Sequence, residues 1–216
     1  HKIGPPEHLF EIIDNEKIRK STNKTKKSKK TVADATSHFA SAMAELKLDL
    51  HSSYLTALSG GADSSALALL TQQYANSVGK RHLAVIVDHG LRDQSYAEAC
   101  RVQKRMRSHG VKSHIISIDS PRPTSGLQEW ARLRRYQVLL SVARDHQAVI
   151  LSAHHAGDQA ETIAMRLLRG SGLVGLAGIP STRFQHGITI SRPLLGWSHD
   201  QLMSVCRHSG YAFEDD

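Results

Sequence analysis

What most restricts the fold of this chain is an alternation. From Tyr54 onward, short β-rich runs at 54–58 (YLTAL), 82–88 (HLAVIVD), 113–118 (SHIISI) and 148–153 (AVILSA) alternate with helical patterns around 64–78, 94–109, 128–146 and 158–168. Elements taking turns in this way predict an α/β domain, a parallel sheet covered on both faces by helices through right-handed crossovers. Ligands bind such sheets at the carboxyl ends of the strands. The unusual polar clusters fall at those ends: SGGADSS (59–65) after the first run, DHGLR (88–92) after the second and HHAGDQAET (154–162) after the fourth.

The first cluster carries the most chemistry. Gly60 and Gly61 let the backbone turn sharply and approach a ligand without a Cβ clash. The helix that follows turns its N-terminus, with unpaired N–H groups and partial positive charge, toward the same space. Ser59, Ser64 and Ser65 add hydroxyls, so the stretch predicts a cradle for phosphate, most simply pyrophosphate. Asp63 beside phosphates calls for a cation between them, which suggests Mg²⁺ on oxygen ligands. An ordinary helix start, with Asp63 or a serine capping the first turn, is the alternative. The stretch is neither a Walker A loop, since no G-K-[ST] ends it, nor a dinucleotide fingerprint, since G-x-G-x-x-G is absent.

Composition narrows the partners. Lys plus Arg number 28 against 20 acids, a formal charge of +8, which favours a polyanion such as nucleic acid. Eight of the basic residues lie between Lys17 and Lys30 with no acid among them. That arm is either a nucleic-acid contact or a solvated linker. Phe39, Met43 and Leu46, at helical spacing, predict one amphipathic helix leading into the main domain. Residues 1–50 therefore read as a basic extension and 51–216 as the main domain. No run approaches the ~18 apolar residues of a membrane span. Cys100 and Cys206 form no C-x-x-C pair, which argues against a disulfide scaffold, a zinc ribbon and a dithiol redox site and fits a reducing compartment. The expected setting is the cytoplasm, or an organelle if a transit peptide has been removed, since the chain begins with His1 rather than Met.

SGGADS (59–64) resembles the pyrophosphatase loop of enzymes that split ATP between its α and β phosphates, a superfamily that includes GMP, NAD and asparagine synthetases and several tRNA-modifying enzymes. VDHGLRDQS (87–95), QEWARLRRY (128–136), AHHAGDQAET (153–162), RLLRGSGLVGLAGIP (166–180) and RPLL (192–195) follow in the order and spacing of the tRNA(Ile)-lysidine synthetases. The chain resembles the N-terminal catalytic domain of that family over roughly residues 54–216. The resemblance implies a Rossmann-like, doubly wound parallel sheet of the adenine nucleotide α-hydrolase (PP-loop) type. It also implies a ligase that forms a carbon–nitrogen bond, taking ATP, Mg²⁺, free lysine and an isoleucine tRNA with a CAU anticodon. ATP would adenylate the carbon-2 oxygen of the wobble cytidine, and the lysine ε-amino group would displace AMP. A homodimer is compatible with the resemblance, and no membrane association is expected.

The same resemblance suggests roles. Ser59, Gly60, Gly61, Ala62, Asp63 and Ser64 would form the ATP loop, with Asp63 serving the metal. Asp88, His89 and Arg92 would close the nucleotide pocket. Asp158 and Glu161, on one helix face, would hold the lysine ammonium, with His154 a turn earlier. Arg169, Arg132, Arg134 and Arg135 would meet phosphates of ATP or tRNA, although the three arginines of 132–135 also fit a solvated helix face. His154, His155, Asp158 and Glu161 could instead bind a transition metal. Gly157 departs from the family, where many relatives carry an acid, and the chain ends at FEDD, before the expected C-terminal tRNA-binding domains. A tRNA thiolase, an amidotransferase-linked synthetase and a non-catalytic RNA-binding module are the competing functions.

Overall fold

The computed structural model describes residues 33–121, 123–168 and 178–213. Helix α1, residues 33–45, opens this part of the chain. Then come β1 (Ser53–Ala57), α2 (Ala62–Ser77), β2 (Arg81–Asp88), α3 (Ser95–Ser108), β3 (Ser113–Ser117), α4 (Leu127–Asp145), β4 (Val149–Leu151), α5 (Ala156–Leu168), β5 (Thr182–Gln185), β6 (Ile188–Ser191) and α6 (His199–His208). The six strands form one sheet in the order β3-β2-β1-β4-β6-β5. The first five strands of that order are parallel, and β5 runs antiparallel to β6. The strand order reverses between β1 and β4, which opens a crevice at their carboxyl ends, where doubly wound sheets place ligands.

Two apolar layers hold the sheet. On one face Tyr54, Ile86 and Leu151 pack with Leu67 and Leu70 of α2, Met106 of α3 and Leu202 of α6. Phe39 and Met43 of α1 join this layer fully buried, so the amphipathic helix expected near residue 40 packs against the domain core. On the other face Leu55, Val85, Ile150 and Ile190 meet Leu139, Leu140 and Ala143 of α4. His82 in β2 is buried, with its two ring nitrogens 2.9 Å from Thr56 Oγ1 and 3.0 Å from Gln72 Oε1. Burial pushes its pKa down to about 3, so it stands neutral in the fold.

Three features differ from the sequence expectations. Strand β4 stops at Leu151, which leaves Ser152–His155 as the loop at the site. The β5–β6 hairpin was not foreseen: its turn residues His186 and Gly187 both take positive φ, as a two-residue hairpin turn with right-handed twist requires. Nor was α6, which opens with a capping box in which Ser198 and Gln201 exchange side-chain and backbone hydrogen bonds. Among the described residues no helix is long and apolar enough to cross a membrane.

Candidate active site

The loop between β1 and α2 is built around Gly60. Its φ of +102° lies outside the range of ordinary L-residues, and a Cβ there would lie 2.8 Å from Val102 Cγ2. Ser64 Oγ accepts the N–H groups of Ser59 and Gly60 at 3.1 and 3.3 Å and donates to the Gly61 carbonyl. Ser65 Oγ donates to the Gly60 carbonyl. The structure thus corrects part of the hydroxyl expectation. Ser64 and Ser65 are buried and turned onto the loop's own backbone, whereas Ser59 is exposed. Their hydrogen bonds fix the loop's shape and leave the Ala62 end of α2 facing the crevice.

A cleft of about 680 Å³ occupies that crevice, large enough for a nucleotide. Ser59, Gly61, Asp63 and Ser64 line it from the loop, Asp88, His89 and Arg92 from the end of β2 and the turn after it, His154 from the loop after β4, Asp158 from the first turn of α5, and Arg132, Arg135 and Tyr136 from α4. Asp88 is nearly buried and accepts the Gly90 N–H at 2.9 Å, which holds the turn after β2. His89 Nδ1 is buried with no hydrogen-bond partner among the described residues, and Arg135 lies 3.5 Å from the other ring nitrogen. Burial, helped by Arg135, holds the His89 pKa below the usual imidazole range. Arg92 pairs with Glu98 at 3.0 Å on the exposed rim.

Opposite the loop, Ser152 Oγ and His154 Nδ1 lie 2.7 Å apart. Burial first, and then the Arg192 charge, lower the His154 pKa, so the ring favours its neutral form. Asp158 Oδ2 accepts the His155 N–H at 2.8 Å at the start of α5. Arg132 and Arg183 lie 5.4 and 5.1 Å from the centre of the Tyr136 ring, and Arg192 is buried beside them. This wall of the cleft is cationic, while Asp63 and Asp158 place carboxylates at the loop and on α5. Such an arrangement suits a polyanion together with an amine or a metal cation.

A family model of the PP-loop domain matches residues 28–216. The chain belongs to the PP-loop family. This PP-loop protein is 41% identical over 163 residues to a tRNA(Ile)-lysidine synthase of Bradyrhizobium sp. (strain BTAi1), covering 74% of its own length and 46% of the relative's. It is 42% identical over 160 residues to the tRNA(Ile)-lysidine synthase of Novosphingobium aromaticivorans, covering 72% and 48%. The chain spans about half the length of these curated relatives. Among solved structures it resembles the U34-tRNA thiolase NcsA of Methanococcus maripaludis with its [4Fe-4S] cluster, at a TM-score of 0.71 and 15% identity over 86% of this chain and 66% of that one. The NH3-dependent NAD synthetase of Campylobacter jejuni matches at 0.51 and 13% identity over 88% and 79%. At those identities the structural likeness is one of fold.

Set against the sequence expectations, the PP-loop protein gathers some residues and separates others. The arginines of α4 divide: Arg132 and Arg135 face the cleft, while Arg134 donates to Gln137 at 3.0 Å outside it. Asp158 lines the cleft, whereas Glu161 is exposed beyond it, because α5 buries none of its residues and only its first turn meets the site. The transition-metal alternative is not assembled as imagined. The group close enough to hold an ion among the described residues is Asp63, His155 and His199, not His154 with Asp158 and Glu161. Arg169 and the arm from Lys17 to Lys30 lie outside the described residues. Two residues were missed. His155 was noted only within the metal alternative, and His199 sits in the unforeseen α6.

Proposed function

We propose that this chain carries the catalytic domain of an ATP-dependent ligase that joins lysine to carbon-2 of the wobble cytidine in an isoleucine tRNA with a CAU anticodon. What most supports this is the identity of 41% and 42% to tRNA(Ile)-lysidine synthases over 74% and 72% of this chain. In the first step the cytidine carbon-2 oxygen attacks the α phosphorus of ATP, a new P–O bond forms, and the bond to the β phosphate breaks to release pyrophosphate. In the second step the lysine ε-nitrogen attacks carbon-2, the C–O bond breaks, AMP leaves, and the amine gives up its protons to the medium.

Each wall of the cleft has a part. The loop N–H groups and the start of α2 cradle the phosphates. Arg132 and Arg135 oppose the charge that develops on pyrophosphate and the tRNA backbone. Asp158 receives the lysine ammonium, and the unpaired His89 nitrogen offers a buried polar contact to the nucleotide. The donors present also fit Mg²⁺. The Asp63 carboxylate is 30% exposed at the loop, and a Mg²⁺ ion needs only one or two carboxylates when phosphates supply its other ligands. When bound, Mg²⁺ would neutralise the phosphate charge. The two free cysteines fit a reducing compartment such as the cytoplasm or an organelle.

Cys206 speaks against a thiolase. Its thiol is buried, donates to the Ala62 carbonyl, and is pushed by burial up to about 12, so it has no thiolate to carry sulfur. The test is incorporation of labelled lysine into a tRNA(Ile) transcript with a CAU anticodon. The label should require ATP and vanish when the wobble cytidine is replaced by uridine. Incorporation that ignores the wobble base, or sulfur transfer in place of lysine, would contradict the proposal.

A further inference from the structure

Asp63 sits between two imidazoles that lie outside the loop. Its Oδ1 lies 2.9 Å from His199 Nδ1, at the start of α6, and its Oδ2 lies 3.3 Å from His155 Nε2, just before α5. The partners of the rings decide their tautomers. Gly157 donates its N–H to His155 Nδ1 at 2.9 Å, so that nitrogen carries no proton and the ring proton is on Nε2, which lies 3.3 Å from Asp63 Oδ2 and 3.8 Å from Asp158 Oδ2. His199 Nδ1 faces an oxygen that only accepts, so it too donates.

Gly157 is the third member of this arrangement. A Cβ on that residue would lie 2.6 Å from His155 Cε1 and 3.0 Å from Nδ1, so any side chain there drives the ring from its place. The glycine at 157 and the contact on Asp63 are therefore one feature.

The three side chains are close enough to hold an ion by themselves. The hydrogen bond at His155 Nδ1 argues against that role, because a metal-bound imidazole donates from its other nitrogen and this one accepts. Each carboxylate oxygen offers two lone pairs; His199 hydrogen-bonds to Oδ1, and the His155 ring lies against Oδ2 at 3.3 Å. The Asp63 side chain lines the cleft and is 30% exposed.

We propose that His155 and His199 are positioning residues that aim the Asp63 carboxylate at the divalent cation carried by the nucleotide, and that Gly157 keeps His155 in place. This rests on the nucleotide site proposed above. Hydrogen-bonding partners behind a metal-binding carboxylate set metal affinity by about 10–100-fold.

The test uses the whole chain with α,β-methylene-ATP, which resists cleavage at the bond the reaction breaks, and Mn²⁺ as a paramagnetic probe. Free Mn²⁺ measured by electron paramagnetic resonance gives the metal affinity of the nucleotide complex, and calorimetry without metal gives the nucleotide affinity alone. His155→Ala, His199→Ala and Gly157→Ala should each weaken Mn²⁺ binding by roughly tenfold or more, with metal-free nucleotide affinity held within about twofold. His155→Gln and His199→Asn, which return an N–H to the same places, should recover most of the loss. Because His199 is half exposed, its variants keep the test open even if changes at His155 or Gly157 impair folding. Unchanged Mn²⁺ affinity in His199→Ala would overturn the proposal. So would tetrahedral Co²⁺ absorption bands from the nucleotide-free protein that vanish in His199→Ala, since the histidines would then be ligands themselves. Failure of the wild-type chain to bind the nucleotide at all would bring down the nucleotide site as well. Metal-dependent wild-type binding with unaffected variants would sink the positioning role alone.

Discussion

Replacing Gly60 by alanine tests how the loop is built. Two costs can be worked from the structure. Holding an L-residue at φ +102° costs about 1–3 kcal/mol, and forcing a methyl group to 2.8 Å from Val102 Cγ2 adds about 1–3 kcal/mol of overpacking. The expected loss of roughly 2–6 kcal/mol is a large part of the roughly 5–15 kcal/mol by which a domain is stable. Urea unfolding of Gly60→Ala, Val102→Ala and the double variant separates the terms. Shortening Val102 relieves the contact but not the backbone strain, so the cycle should show a coupling of about 1–3 kcal/mol, with the remaining penalty persisting in the double variant. The loop N–H groups should shift at the same time and weaken α,β-methylene-ATP binding. Wild-type stability in Gly60→Ala, or a double variant whose losses simply add, would refute this account of the loop.

Three further outcomes follow from the same geometry. Asp158→Asn should raise the lysine requirement by the worth of a charge-assisted hydrogen bond, about 1.5–3 kcal/mol, with little change for ATP, while Glu161→Gln should change neither; steady-state kinetics with each substrate varied will tell. Arg132→Ala and Arg135→Ala should each flatten the logarithmic salt dependence of tRNA binding by about 0.7–0.9, and Arg134→Ala should leave it unchanged in the same titrations. His82 should weaken the fold in acid. Its pKa is about 3 in the fold against an ordinary 6.5, so the unfolded chain takes up the extra proton, and stability falls as pH drops below 6.5, by about 1.4 kcal/mol per unit. At pH 5 this amounts to about 2 kcal/mol, and urea midpoints for His82→Gln should lose that portion of the acid sensitivity.

Much of the fold could be read from spacing, and the reasons are local. The strand runs and helical patterns announced β1 to β4 and α2 to α5, because buried parallel strands are short and continuously apolar. The hairpin escaped notice since β5, Thr182–Gln185, is short and polar, although His186-Gly187 before the alternating Ile188 and Ile190 is a usable turn signal. Helix α6 was marked by the Ser198-x-x-Gln201 box, also available in the sequence. The loop from Ser59 to Ser64 was legible because its chemistry lies in consecutive residues. The His199–Asp63 contact was not, since it joins residues 136 apart through the packing of α6 on α2. The division of the arginines follows from helical period alone, which sets Arg132 and Arg135 on one face and turns Arg134 away. The exposure of Glu161 reflects instead how little of α5 is buried in the fold, which no local pattern encodes.

The central claim is that ATP activates the nucleic acid before the amine enters, and ATP–pyrophosphate exchange addresses it most directly. With tRNA(Ile) bearing a CAU anticodon and no lysine, labelled pyrophosphate should appear in ATP, and Asp63→Ala should abolish the exchange while the protein keeps its fold by circular dichroism. Exchange that needs lysine but not tRNA would mean that the lysine carboxylate is the group adenylated, and it would contradict the account.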